Sequence, residues 1–487
     1  MNPITALPGQ LAPMTAEGNS LARVHMVGIG GAGMSAIARI LADRGLPVSG
    51  SDAKGSHVLT GLAGRGVLTA IGHSAANLDL LPGGPTVLVV STAIRASNPE
   101  VVEARNRGIA VVQRAGALAA LMVGLRSVCV AGTHGKTSTT SMLTVALLAA
   151  GLDPSFAIGG ELNESGSGAH HGSGDIFIAE ADESDGSFLA FAPHGAIITN
   201  LEPDHLDHHG TAAVYAAVFQ QFVDRITAGG FLVAGIDDPG VRDLLAQLVG
   251  KPGAPRVISY GFAAGADLRI TDHRQAGHGG TATVRIVGES DVLLALAVPG
   301  AHMLSNAVAA LAAGIALGVP AATMAAGLAS YTGVRRRFEY KGRVSGVAVY
   351  DDYAHHPTEV AAQLLAARSV LAAAVAPGRL VVIFQPHLYS RTISFAPAFA
   401  AALSAADVVV VLDIYGARED PVPGVSGALI TSQIPQSANR QVHYLPSLAA
   451  VASTVGDLVT AGDLVITMGA GDVTMLGPQL LEYLESQ

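Results

Sequence analysis

Short apolar runs recur along the chain, and nearly every one breaks off into glycine or into a dense cluster of polar residues. Runs of this length bounded by turn residues predict strands buried on both faces. The longer alanine-rich stretches between them predict helices, and together they mean α/β units with parallel sheets. Arg23–Ile29 leads into Gly28-Ile29-Gly30-Gly31-Ala32-Gly33 and an apolar helix through Ile40 and Leu41; Pro47–Gly50 ends at Ser51-Asp52, and Thr86–Val90 ends at Ser91-Thr92-Ala93. The apolar run Val128–Ala131 breaks into Gly132-Thr133-His134-Gly135-Lys136-Thr137-Ser138. Asp175–Ala179 runs into the acidic cluster Glu180–Asp185, and Ala196–Thr199 into Asn200–His205. Alternation from about Arg256 to Pro299 predicts a small β excursion. The first rhythm then resumes: Val347–Tyr350 precedes Asp351–Pro357, Leu380–Phe384 precedes Gln385–Arg391, Val408–Leu412 precedes Asp413–Gly416, and Leu464–Thr467 ends in the glycine turn Gly469–Asp472. Open α/β sheets bind ligands at the carboxyl ends of their strands, so these clusters are the places to look for chemistry.

Composition changes the picture in a few respects. A chain of 487 residues at ~150 residues per domain predicts about three domains. The breaks in pattern place them at 1–124, 125–334 and 335–487. With 50% apolar and only 14% charged residues, the chain is an ordered α/β protein, most simply an enzyme. The net charge of −10 and the lack of a long basic run argue against a nucleic-acid partner. Cys129 is the single cysteine, so no intramolecular disulfide or cysteine-based zinc site is available, which fits a reducing cytoplasm. Residues 1–22 carry no secretory pattern. The uncharged stretch from His302 to Ser330 has the composition of a membrane span, but Asn306, glycines and Pro320 interrupt it. Packed helices of a core are expected there, and no membrane insertion.

Two strand-to-helix turns carry glycine patterns. Gly28, Gly30 and Gly33 stand in G-x-G-x-x-G order, with Asp52 about 20 positions later, a fingerprint that taken literally predicts NAD. Gly132–Ser138 reads as a phosphate-binding loop. Backbone N–H groups around its glycines can surround phosphate oxygens, the following helix offers its positive end, Lys136 neutralises the outer phosphates and Thr137 holds Mg²⁺. The pattern G-x-x-x-x-G-K-[ST] is not met, because Val130 stands at its first glycine and Gly132 comes late, so the loop is a shortened form. The bland alternative is a glycine-rich turn with a solvated lysine.

Magnesium prefers oxygen ligands and bridges carboxylates to phosphates, which makes Thr137 and Glu180, with His205, the candidates for its shell. The structural alternative for Glu180–Asp185 is a solvated acidic loop. His205, His208 and His209 with Asp204 and Asp207 are a secondary candidate for a hydrolytic zinc or manganese site, against which His208 and His209 read as loop caps. Arg335-Arg336-Arg337 stands at the second junction, either as a basic linker or as a guanidinium directed at a phosphoryl group. His387 and Arg391 are four residues apart, which would put them on one face of a helix beginning there. Arg391 suits a carboxylate.

Together these strings resemble the Mur ligase family, most closely its alanine-adding branch, from roughly residue 22 to residue 480. The matching strings are Val27–Met34, Gly132–Thr137, Ala179–Asp185, Thr199-Asn200 with Asp204-His205, Arg336-Arg337-Phe338, Asp351–Glu359 and Phe384–Thr392. The resemblance implies a Rossmann-like N-terminal domain for a UDP-sugar, a central P-loop ATPase domain and a Rossmann-like C-terminal domain for the amino acid. It replaces the NAD reading: Gly28, Gly30, Gly31 and Gly33 would hold the UDP-sugar, with Asp52, His73, Ser91 and Thr92 lining the same pocket. It implies that ATP phosphorylates the lactyl carboxylate of UDP-N-acetylmuramate and that L-alanine attacks the acyl phosphate, a step of peptidoglycan precursor synthesis.

By the same resemblance, Gly132, Thr133, His134, Gly135, Lys136, Thr137 and Ser138 would bind ATP phosphates. Thr137 and Glu180 would hold one Mg²⁺ and His205 a second. Gly300, His302 and Asn306 would meet adenine, Arg336 the phosphates and Asp352 the ribose. Tyr353, His355, His387 and Arg391 would form the amino-acid side, and Lys136, Glu180, His205, Arg336 and His355 would be the catalytic set. Two departures stand out. Ser138 replaces a threonine but keeps the hydroxyl, and Thr211–Arg225 lacks the lysine that sister ligases carbamoylate. The nearest rival is the recycling branch, which adds a whole tripeptide; Ala32-Gly33-Met34 favours the alanine-adding one. A dehydrogenase would leave Lys136 without a role.

Overall fold

Every apolar run that predicts a strand forms one. The computed structural model describes residues 14–374, 377–417, 419–435 and 437–487; residues 1–13, the start of the expected first domain, and the Asp207 side chain lie outside the described part. The chain divides into two compact units, one through Arg269 together with Ala309–Gly327, the other Ile270–Val308 with Leu328–Gln487.

In the first unit, β1 (Val24–Val27), β2 (Val48–Asp52), β3 (Leu68–Ile71), β4 (Val87–Val90) and β5 (Ala110–Gln113) form a parallel sheet in the order β3-β2-β1-β4-β5. The order reverses between β1 and β4, which opens a crevice at their carboxyl ends where the glycine loop follows β1. Helix Ala32–Asp43 covers one face, and Met26, Ile37, Leu41 and Val89 are buried completely. Each such side chain contributes about 1.5–3 kcal/mol by leaving water.

The same unit holds β6 (Arg126–Ala131), β7 (Ser155–Ala157), β8 (Ala169–His170), β9 (Ile176–Glu180), β10 (Gly195–Ile198), β11 (Phe231–Gly235) and β12 (Arg256–Gly261). They run in the order β8-β7-β9-β6-β10-β11-β12, parallel except for β8 against β7. β6 therefore lies between β9 and β10. The phosphate loop, the Glu180 cluster and the Asn200–His205 cluster leave three neighbouring strands at the same edge.

The β excursion is β13 (Leu268–Ala276), β14 (Gly279–Ile286) and β15 (Val292–Leu296), with β14 and β15 antiparallel. The second unit is then built on β16 (Glu339–Val344), β17 (Val347–Asp352), β18 (Leu380–Phe384), β19 (Val408–Val411), β20 (Gln441–Tyr444) and β21 (Leu464–Met468), in the order β16-β17-β21-β18-β19-β20. Only β16 is antiparallel. β17, β21 and β18 are adjacent, which brings the Asp351–Pro357, Gly469–Asp472 and Gln385–Arg391 loops to one edge. Among the described residues no helix is long and apolar enough to cross a membrane, and the uncharged stretch is two helices, Ala301–Ala316 and Ala321–Leu328, parted at Pro320.

Candidate active site

The phosphate loop is shaped by two glycines at positive φ, Gly132 at 131° and Gly135 at 82°. Gly135 caps helix Lys136–Ala149 in the left-handed conformation, so the helix begins at the lysine itself. The neighbouring strand braces the loop: Asn200 Oδ1 accepts from the His134 N–H at 2.8 Å, and the Thr199 hydroxyl donates to the His134 carbonyl at 2.6 Å. Thr133 bonds the buried Tyr215 hydroxyl at 3.0 Å. Lys136 Nζ donates to the carbonyls of Gly132 at 2.7 Å and Thr133 at 3.1 Å, and pairs with Glu183 at 2.9 Å.

Burial pushes the Glu183 carboxyl up to about 7 even though Lys136 draws it down. Desolvation works to lower Lys136, but Glu183, Asp182 and Glu180 outweigh it and the ammonium is held above its ordinary value. The lysine stays charged, curled over its own loop. Thr137 Oγ1 donates to Glu180 Oε1 at 3.1 Å, while Glu180 Oε2 accepts the Gly159 N–H at 2.9 Å. A threonine oxygen and a carboxylate oxygen beside a phosphate loop are the hard donors that Mg²⁺ takes, so this pair fits the ion.

His205 sits at φ 52°, its N–H donating to Asp204 Oδ1 at 2.7 Å and its Nε2 lying 3.6 Å from Asp204 Oδ2. Among the described residues, Asp204, His205, His208 and His209 do not bring ligand atoms to one point. His209 instead donates to the Glu183 carbonyl at 3.0 Å and packs on Tyr215. Among the described residues the alternative zinc cluster therefore does not assemble, His209 being engaged by a backbone carbonyl and an aromatic ring.

At the first sheet, the Ser51 carbonyl accepts the N–H groups of Gly28 at 2.8 Å and Ile29 at 3.0 Å, and Asp52 Oδ2 accepts that of Gly30 at 2.9 Å. Asp52 thus ties the glycine loop itself. Ser91 and Thr92 follow β4, beside β1, and the Ile94 side chain of that turn lies against Gly28. His73 Nδ1 meets the Ser51 hydroxyl at 2.9 Å. A cavity of about 200 Å³ is lined by Gly33, Arg114, Gly159, Glu180 and Asp182, so the glycine loop and the metal-type carboxylate open on one space. A Cβ at Gly33 would fall on the Arg114 guanidinium, which also reaches Asp182 at 3.5 Å. Arg114 and Glu183 have no place in the sequence reading. An arginine directly after β5 is the signal available for the first, and a second carboxylate in the acidic run for the other.

In the second unit His387 and Arg391 do meet, Nη1 donating to Nδ1 at 3.2 Å. The reason differs from the one expected. Helix Tyr389–Leu403 starts after His387, with Leu388 at φ 69° turning the chain, so the contact crosses a helix entrance rather than one helix face. The His355 ring faces His387 at 5.8 Å and Tyr353 at 5.3 Å, and its Nδ1–H donates to the Tyr353 carbonyl at 3.1 Å. Burial lowers His355 to about 3, leaving it neutral, and Arg391 carries the positive charge of the group. Arg336 stacks on Tyr353 at 4.7 Å and donates to the carbonyls of Gly469 at 2.8 Å and Gly471 at 3.3 Å. The guanidinium is bound to the glycine turn of this edge.

Asp352 is the last residue of β17. It is wholly buried, and its oxygens accept from the Phe338 N–H at 2.7 Å, the Ala354 N–H at 2.7 Å and Gln363 at 2.6 Å. In this arrangement it braces the loop after β17, and burial raises it to about 7. His302 and Asn306 lie one turn apart on helix Ala301–Ala316, with His302 lowered to about 4 by burial. Gly300, at φ 111°, donates to Gln275 at 2.9 Å, and a Cβ there would strike the His302 ring.

The chain matches three family models in order: Mur ligase family, catalytic domain, at residues 23–125; Mur ligase middle domain at 130–314; and Mur ligase, glutamate ligase domain, at 336–471. It is 60% identical to a UDP-N-acetylmuramate–L-alanine ligase of Saccharopolyspora erythraea, covering 96% of this chain and 94% of that one. With the protein of the same name from Mycobacterium tuberculosis it shares 54% identity over 95% of each. Among solved structures, a UDP-N-acetylmuramate–alanine ligase of Thermotoga maritima superposes with a TM-score of 0.79 at 27% identity, covering 95% of this chain and 99% of that one. A murein peptide ligase of Psychrobacter arcticus reaches 0.69 at 26% identity, covering 96% and 99%.

Proposed function

The chain belongs to the Mur ligase family, and we propose that it joins L-alanine to the lactyl carboxylate of UDP-N-acetylmuramate at the expense of ATP, forming ADP and phosphate. The observation that carries the reading is the cavity shared by the glycine loop and Glu180, with Lys136 and Thr137 at the mouth of the phosphate helix. A sugar-borne carboxylate and a γ-phosphate need such a common space.

In the first step a carboxylate oxygen attacks the γ-phosphorus and the bond to ADP breaks, leaving an acyl phosphate. Lys136 and the N–H groups of Gly132–Ser138 meet the charge that develops on the phosphoryl oxygens. Thr137 and Glu180 would hold one Mg²⁺, and His205 would serve a second. The ions supply charge neutralisation when bound. In the second step the amine of alanine attacks the carbonyl carbon, the C–O bond to phosphate breaks, phosphate leaves and the amine gives up a proton. Arg391 receives the alanine carboxylate, supported by His387. His355, whose Nδ1–H is committed to Tyr353, offers Nε2 to the amine as a neutral acceptor. His302 and Asn306 are assigned to adenine and Arg336 to the phosphate side, and the reaction is assigned to the cytoplasm.

The choice between alanine and tripeptide is tested by ATP-dependent phosphate release with UDP-N-acetylmuramate and either acceptor. Turnover with L-alanine is expected, and turnover with the tripeptide alone would overturn the reading.

A further inference from the structure

Glu100 is a fully buried carboxylate outside the machinery described so far, near the start of helix Pro99–Asn106. Its Oε2 lies 3.0 Å from His25 Nε2 and 2.8 Å from the Ser51 hydroxyl. Its Oε1 accepts from the Ser74 N–H at 3.1 Å and Asn77 Nδ2 at 2.8 Å. His73 Nδ1 is 3.5 Å from Oε1 and 2.9 Å from Ser51 Oγ, and His25 Nδ1 is 2.7 Å from Ser49 Oγ.

We propose that Glu100 is a positioning residue for the sugar nucleotide: it holds the Ser51 hydroxyl and, through it, fixes His73 as the Nδ1–H tautomer, presetting the glycine loop and the His73 Nε2 edge for the ligand. The inference rests on the reading that the glycine loop takes the UDP-sugar.

Proton counting carries the argument. Although burial opposes it, hydrogen bonds from His25, Asn77 and Ser51 hold Glu100 down at about 2, so it is an anion and only accepts. Ser51 has one hydroxyl proton, which goes to Glu100. Its oxygen can therefore only accept from His73, which puts the proton on Nδ1 and leaves Nε2 as an acceptor whenever the ring is neutral. His73 is the partly exposed imidazole of this network, at 22%, while His25, Ser49, Ser51 and Glu100 are buried. Ser51 also carries the carbonyl that receives the Gly28 and Ile29 N–H groups. The buried anion thus reaches both the loop and the imidazole through one serine.

Glu100→Gln keeps the shape and reverses part of the proton order. The backbone N–H of Ser74 cannot turn around, so the amide oxygen must face it and the NH₂ must face Ser51 and His25. Ser51 then gives its proton to His73, which becomes the Nε2–H tautomer and turns a donor outward. In folded E100Q the KM for UDP-N-acetylmuramate is expected to rise about 10- to 100-fold, with the KM for ATP and L-alanine within about twofold of wild type. Long-range ¹H–¹⁵N spectra of the unliganded proteins, with His73→Ala to assign the signal, are expected to show Nδ1–H in the wild type and Nε2–H in E100Q. An unchanged sugar-nucleotide KM, an equal loss for all three substrates, or an Nε2–H wild-type tautomer would each overturn the role. If E100Q does not fold, Ser51→Ala cuts the relay while leaving His25, Ser74 and Asn77 on Glu100; the same KM split is expected, and its absence overturns the proposal. Calorimetry separates the two readings. A wild type that does not bind UDP-N-acetylmuramate removes the ligand assignment, whereas binding that is equal in wild type and E100Q removes only the positioning role.

Discussion

Lys136 is neutralised by a carboxylate that is itself close to taking a proton. Lys136→Ala should therefore leave a folded chain, because Glu183, already at about 7, can protonate instead of remaining an unpaired buried charge. Ligation should fall roughly a thousandfold or more, since the phosphoryl charge loses its fixed cation. Near-normal turnover in a folded variant would remove the assignment. Glu100 gives a stability prediction of defined sign. Its folded value of about 2 lies below the ordinary 4.5, so its contribution is present above pH 4.5 and is lost as pH falls toward 2. The shift corresponds to roughly 3 kcal/mol. Urea midpoints measured from pH 5.5 downward should fall further for wild type than for Glu100→Gln, and parallel curves would contradict it. Residues such as Lys136, Thr137 and Glu180 were legible because a motif or a strand end marks them. Glu183, Arg114 and Glu100 were not, since each acquires its meaning from partners on other strands that spacing does not reveal.

The elements depend on where glycine permits a turn. At Gly132 the backbone has φ 131° and a Cβ would strike the Thr199 hydroxyl, the group that braces the His134 carbonyl. Gly132→Ala should raise the KM for ATP and lower the melting temperature by several degrees, combining roughly 1–3 kcal/mol of backbone strain with displacement of the neighbouring strand end. Gly151, at φ 78° with open space around it, is the control: its alanine variant carries strain alone and should keep its KM for ATP. A variant of Gly132 with unchanged ATP kinetics would show that the loop has room. At this scale the strands were the most legible feature, because β6, β10, β18 and β21 are buried on both faces and read as continuous apolar runs. Helix starts were less so. The spacing of His387 and Arg391 is satisfied by a turn at Leu388, and Asp352 turns inward because three donors converge on it.

For the whole molecule, parallel order explains why distant strings act together: β9, β6 and β10 deliver their clusters to one edge, as do β17, β21 and β18 in the second unit. The pairing of strands far apart in sequence was legible only through the family resemblance, because periodicity predicts a strand without naming its neighbour. The chemistry nevertheless has a signature that needs no knowledge of how the edges meet. In the proposed function Lys136 meets the terminal phosphates and the Gly28–Gly33 loop, which opens on the same cavity as Glu180, takes the sugar nucleotide, so the carboxylate should be activated by phosphoryl transfer rather than by adenylation. An acyl phosphate keeps a carboxylate oxygen on phosphorus when the amine displaces it. With ¹⁸O in both lactyl carboxylate oxygens, each inorganic phosphate should carry one label and the new amide should retain the other. Mass spectrometry of the released phosphate tests this directly. Label appearing in AMP, or phosphate released without label, would mean that the γ-phosphate is not what Lys136 delivers.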